Sequence, residues 1–147
     1  MKAVIALGSN LGEREQTLAS AISELRMFLE ITSVSRFIES DPVGGVSQPQ
    51  YLNAVVVAET EIAPTDLISK LLEIEERHGR TREVRWGART LDLDLIVYGS
   101  IELQSKLLTL PHPRAHERAF VLGPWLEIDP DAFLPGFGAV RLLLKAT

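Results

Sequence analysis

The 147-residue chain contains no cysteine. Disulfides, thiolate metal sites and cysteine nucleophiles are therefore excluded, and a reducing, cytoplasmic setting fits. No apolar run approaches the roughly 20 residues that a membrane helix needs. The longest, at residues 4–7 and 55–58, are strand-sized, so no membrane partner is expected. The apolar start is too short for a secretory signal, and no small-residue cleavage site follows it. The three histidines, His78, His112 and His116, lack the HExxH spacing of a zinc site and form no Ser-His-Asp set. No GxGxxG occurs, and the stretch Gly8-Ser9-Asn10-Leu11-Gly12 lacks the Gly-Lys-Ser/Thr ending of a P-loop. Internal repeats, low-complexity tracts and dividing linkers are also missing. The net charge of −5 argues against a broad nucleic-acid surface.

What remains is ordinary globular composition, 46% hydrophobic and 24% charged, enough for one core. We expect a single domain over residues 1–147. Residues 2–7 read as a buried strand and 8–12 as a turn. Leu18, Ile22, Leu25 and Leu29 form one apolar stripe, predicting a helix over 13–29. Residues 31–39 read as a strand of imperfect alternation, 40–50 as a Pro- and Gly-containing loop, and 51–61 as a valine-rich strand. Pro64 suits a helix's first turn; Leu67, Leu71, Ile74 and His78 continue the stripe, and Gly79 stops it. A strand at 91–98, a loop at 111–118, a short helix or turn at 119–127 and a small apolar element complete the chain. The order β-α-β-β-α-β is that of an α+β, ferredoxin-like sandwich, with two helices on one face of an antiparallel sheet.

Charge is unevenly placed. Five of the eleven arginines (Arg77, Arg80, Arg82, Arg85 and Arg89) fall within thirteen residues, opposed only by Glu83. An acidic chain with one arginine-dense stretch suits a small, highly charged anion, because the guanidinium fork bonds phosphate twice. The alternative is a solvated charge run. Immediately after it stand Asp92 and Asp94. Two apart on a strand, they project from one face about 6–7 Å apart, while Leu93 and Leu95 face the core. Aspartate is uncommon in strands, and two of them together invite a hard cation such as Mg²⁺. Arginines beside such carboxylates are the layout of phosphoryl transfer from a nucleoside triphosphate. Tyr51 and Asn53 share a strand face and could stack on, and bond the edge of, a flat heterocycle. Phe120 could form the opposite wall, Trp86 could cap a ligand, and His112 could bond a phosphate. Glu75 lies one position off its helix stripe, and solvent exposure is its default.

The run Arg85-Trp86-Gly87-Ala88-Arg89-Thr90-Leu91-Asp92-Leu93-Asp94 resembles the signature of the 6-hydroxymethyl-7,8-dihydropterin pyrophosphokinases of folate biosynthesis. Gly8 to Gly12, Tyr51-Leu52-Asn53-Ala54, Glu75 before Gly79-Arg80, Pro111-His112-Pro113-Arg114, Arg118 and Phe120 match in order. Ala88 and Trp125 depart from the family's usual proline and leucine. The resemblance implies transfer of pyrophosphate from ATP to the pterin hydroxymethyl group, with AMP leaving and two Mg²⁺ ions bound. It places the metals on Asp92 and Asp94. Arg80, Arg82 and Arg89 would stabilise the transferring phosphates, and Asp94 is a candidate acceptor for the hydroxyl proton. Tyr51, Asn53, Phe120, Trp86 and the backbone near Val43 and Gly44 would hold the pterin. Glu75, Arg80, Arg89, His112 and Arg118 would contact ATP. A monomer with these two small-molecule substrates is expected. Two rival readings remain: a non-catalytic nucleotide-binding sensor on the same fold, and a metal-dependent phosphohydrolase.

Overall fold

A computed structural model describes residues 1–41, 49–79 and 90–147. Nine short or long strands and four α-helices are found among them: β1 (Lys2–Ser9), α1 (Arg14–Leu25), β2 (Glu30–Val34), β3 (Ile38–Ser40), β4 (Tyr51–Glu59), α2 (Pro64–Arg77), β5 (Asp92–Tyr98), β6 (Leu103–Gln104), β7 (Thr109–Leu110), α3 (Ala119–Ile128), β8 (Phe133–Leu134), β9 (Gly138–Ala139) and α4 (Val140–Lys145). The main sheet runs β2-β4-β1-β5, with β3 also paired to β4. Every pairing in it is antiparallel. The third and first strand units of the chain lie centrally and the second and fourth at the edges, the arrangement of a ferredoxin-like fold.

Alternation along the central strands sends side chains to two cores. Ala3, Ile5 and Leu7 of β1, Ala54 and Val56 of β4, and Leu93 and Leu95 of β5 pack with Leu18, Ile22 and Leu25 of α1 and Leu67, Leu71 and Ile74 of α2. Val4, Ala6, Val55, Val57 and Ile96 face the other way, onto Val121, Leu122 and Trp125 of α3 and Val140 of α4. The sheet is thus covered on both faces, not only on the one expected from sequence. The stretch 119–128 forms a full helix with Pro124 inside it, and its burial outweighs the turn signal of Gly123-Pro124.

Other boundaries shift for local reasons. The 31–39 strand is two strands. A bulge falls between Ile31 and Ser33, and buried Ser35 then replaces ladder bonds with its own: its Oγ donates to Arg36 O and accepts from Val55 N–H, both at 2.8 Å. A serine hydroxyl competes with sheet pairing in this way. Helix α1 stops at Leu25, four residues short of expectation, although Leu29 remains in the core. Gly8 and Ser9 belong to β1 rather than to a turn. A 3-10 turn at Ala115–Glu117 interrupts the loop before α3.

Candidate active site

The α3 face of the sheet is only partly roofed. Beyond Val4 and Val55 the strands present Ala6, Gly8, Asn53, Asp92 and Asp94. Together with Tyr51, Ser40, Asp41, and Arg118, Phe120 and Val121 at the start of α3, they line a cavity of about 170 Å³. Register explains the gathering. Gly8 on β1 lies opposite Asn53 on one side and Asp92 on the other, and Ala6 lies opposite Asp94. Gly8 is small where its neighbours are large: a Cβ there would stand 3.4 Å from both Asn53 Oδ1 and Tyr51 Cδ1. Asn53 is 5% exposed. Its amide nitrogen donates to Ser40 Oγ (2.7 Å) and Ile38 O (3.3 Å), which turns its carbonyl oxygen toward Gly8. The slot therefore has aromatic walls, Tyr51 and Phe120, and an amide acceptor at its floor. The Arg118 guanidinium sits 5.7 Å from the centre of the Phe120 ring.

A second, larger cleft of about 480 Å³ lies on the α2 side. It is lined by Ile68, Leu71, Leu72 and Glu75 of α2, by Leu93 and Leu107, and by His112. Asp92, Asp94 and Arg118 line it as well. The two clefts thus share a wall, and that wall carries the paired carboxylates and an arginine. Asp92 and Asp94 are half-buried, while Leu93 and Leu95 between and beyond them are buried in the core, as the alternation requires.

Glu75 corrects the expectation of solvent exposure. It is 4% exposed, and its Oε2 accepts the Leu93 N–H at 2.7 Å. Strand β5 is the edge of the sheet, and the outward amide of an edge strand lacks a neighbouring strand to bond. The α2 carboxylate takes that place, on the residue between the two aspartates. His112 is held by its own N–H to Ile96 O (2.8 Å), and its Nδ1 accepts the Arg114 N–H at 3.2 Å. Burial lowers its pKa, the nearby Asp94 charge raises it, and Arg118 and Arg114 lower it further; the net shift is downward. Because Nδ1 accepts, the proton of the neutral ring stands on Nε2, which is then a donor.

Among the described residues, no group of three or more His, Cys, Asp or Glu could hold a metal ion. Two carboxylates facing a cleft still suit Mg²⁺, which commonly takes one or two protein carboxylates and completes its shell with substrate phosphates and water. Val43, Gly44, Arg80, Arg82, Arg85, Trp86 and Arg89 lie outside the described residues. Of the other expected site residues, Tyr51, Asn53 and Phe120 meet in the smaller slot, Glu75 and His112 in the larger cleft, and Asp92, Asp94 and Arg118 in both. Sequence reasoning missed Gly8, Ser40 and Asp41 as lining residues. The sheet register that brings them together has no local signature.

A family model for 7,8-dihydro-6-hydroxymethylpterin-pyrophosphokinase matches residues 4–130. The chain belongs to this family. It is 45% identical over 128 residues to the 2-amino-4-hydroxy-6-hydroxymethyldihydropteridine pyrophosphokinase of Bacillus subtilis, covering 86% of this chain and 77% of that one. It is 41% identical over 145 residues to the Haemophilus influenzae protein of the same name, covering 97% and 91%. By fold, it resembles the crystal structure of Plasmodium falciparum HPPK-DHPS with pteroate, at a TM-score of 0.75 and 14% identity. That match covers 99% of this chain but 42% of the larger one. The pyrophosphokinase family is a family of enzymes, so the site is a candidate active site rather than a sensor pocket. No helix among the described residues is long and apolar enough to cross a membrane.

Proposed function

We propose that this single pyrophosphokinase domain transfers the terminal pyrophosphoryl group of ATP to the hydroxymethyl oxygen of 6-hydroxymethyl-7,8-dihydropterin. The observation that carries this reading is the shared wall: a slot fitted to a flat ring and a larger cleft meet at Asp92, Asp94 and Arg118. The pterin enters the slot between Tyr51 and Phe120, and the Asn53 carbonyl oxygen accepts from a ring N–H. The family resemblance assigns Val43, Gly44 and Trp86, outside the described residues, to the same ligand. ATP occupies the larger cleft, with its adenosine toward Ile68, Leu72 and Leu107 and its phosphates toward His112 and Arg118. Arg80, Arg82 and Arg89 add charge along the phosphates, and Glu75 supports the cleft from α2.

Asp92 and Asp94 would hold Mg²⁺, two ions in the family pattern. Held there, Mg²⁺ would supply neutralisation of the phosphate charge. The pterin hydroxyl oxygen forms a bond to the β-phosphorus. The bond from that phosphorus to the α,β-bridging oxygen breaks, and AMP leaves with that oxygen. The hydroxyl proton is lost, with Asp94 as its candidate acceptor. The chain's main contribution is placement: two substrates on opposite sides of one carboxylate wall react in line more readily than when free. Neutral His112 donates Nε2–H to a phosphate oxygen, and Arg118 donates from the slot's rim.

The deciding experiment follows AMP from ATP and Mg²⁺ with and without the pterin. AMP released only with the pterin, in step with its diphosphate ester, is the expected result. Pterin-independent phosphate or pyrophosphate would instead identify a hydrolase, and ATP binding without turnover a sensor.

A further inference from the structure

We propose that Arg14 is a positioning residue for the ring slot, setting the affinity for the pterin without touching it. Arg14 opens α1. A cation at a helix N-terminus opposes the helix dipole, so this residue is poorly chosen for the helix and its role lies elsewhere. Its side chain, 28% exposed, reaches two chain segments at once: Nη1 donates to Gln50 O at 2.8 Å, and Nη2 donates to Glu39 Oε1 at 3.2 Å. Glu39 lies in β3, and Gln50 directly precedes β4.

These two segments carry the slot's outer wall. Ser40 and Asp41 follow Glu39, and Tyr51 follows Gln50; all three line the cavity. Among the described residues they pair through three register positions, Ile38 to Asn53, Glu39 to Leu52 and Ser40 to Tyr51, and a strand of three residues contributes few ladder bonds of its own. Arg14 adds a tie across the open end of that pair. Two further bonds reinforce the same end: Gln50 Nε2 donates to Asp41 Oδ1 at 3.0 Å, and Asn10 Nδ2 donates to Pro49 O at 3.2 Å. A planar fork holds two acceptors on separate segments in a fixed geometry; a lysine ammonium on a flexible stem does so less well. The larger cleft includes none of these residues, so the effect belongs to one substrate alone.

The inference rests on the reading of the slot as the pterin site. Its test measures equilibrium binding of the pterin and, separately, of a non-hydrolysable ATP analogue, by wild-type protein and by Arg14→Met and Arg14→Lys. Arg14→Met keeps the stem and removes the fork. It is expected to weaken the pterin by about 5- to 20-fold, a size set by the loss of charge-assisted hydrogen bonds. KM for the pterin rises in parallel, while kcat and analogue binding stay within about twofold. Arg14→Lys falls between. Hydrogen exchange of the peptides spanning 38–41 and 49–53 quickens in Arg14→Met without a matching change across α2. Unchanged pterin affinity, or equal losses for both ligands, overturns the proposal. Wild-type protein that binds the analogue but not the pterin overturns the slot assignment instead.

Discussion

Gly8 holds its place by what it lacks. It is extended, outside the left-handed conformations that five other glycines among the described residues adopt, so its backbone asks for no special residue. The space above it does. A Cβ would reach 3.4 Å from Asn53 Oδ1 and Tyr51 Cδ1, and branched methyls would project into the slot. Gly8→Val should therefore fold near-normally, suiting a strand, yet weaken the flat ligand about tenfold or more through overpacking. Titration of the pterin by its fluorescence checks this, with an ATP analogue as the control that stays unaffected. At this scale the sequence was informative wherever chemistry is carried by residue type. Tyr51, Asn53, Asp92, Asp94 and Phe120 stand where strand alternation and aromatic character put them. Glu75 was misjudged because helix periodicity ranks a carboxylate beside the stripe as solvated. What buries it is an amide of β5, eighteen residues further on.

That bond ties two elements together, α2 and β5. Helix α2 and β5 share one core, to which Leu71, Ile74 and Leu93 belong, and the Glu75 carboxylate accepts the Leu93 amide. Removing the acceptor frees the edge strand at the residue between the two aspartates. Glu75→Leu is expected to raise the Mg²⁺ concentration for half-maximal turnover and to lower kcat by roughly tenfold or more, since a lost charged hydrogen bond to a buried amide is worth about 1.5–3 kcal/mol. Glu75→Gln retains an acceptor and should recover much of the loss; steady-state kinetics across a Mg²⁺ series separates the two. The α1 and α2 ends are joined independently. Glu24 accepts from Arg77 Nε at 2.9 Å and contacts His78 Nε2. Burial opposes its ionisation, but the His78 and Arg77 contacts outweigh burial and hold its carboxyl below the usual range. Helices α1 and α2 were legible because their stripes are long and regular. The division of β2 from β3 was not, since Ser35 closes local hydrogen bonds in a run that otherwise alternates.

Across the whole molecule, the sheet separates two cores, and the site lies where each runs out. One core ends at the aspartate edge beneath α2. The other ends where α3 begins, at Arg118 and Phe120. This second layer was not legible in the sequence, because a mostly apolar helix with Gly123 and Pro124 inside it carries no periodic signal. Trp125 is the test of that layer. It is 1% exposed in the α3 core, and its Nε1–H donates to Asp129 Oδ2 at 3.4 Å. Lys2 reaches the same carboxylate at 3.2 Å, so the side chain helps fasten α3 to the first strand. Trp125→Ala should cost about 3–5 kcal/mol, lowering the melting temperature by roughly 6–20 °C for a chain of this size. Because Arg118 immediately precedes α3 and Phe120 lies in its first turn, loosening it should also reach the slot. Pterin affinity is expected to fall as temperature approaches the lowered transition, while below it the carboxylate wall, anchored from the opposite core by Leu93 and Leu95, keeps its place. Calorimetry with and without the pterin reads both effects. A variant that melts lower but keeps wild-type pterin affinity throughout the pre-transition range would show that the start of α3 is held by the sheet rather than by its own core.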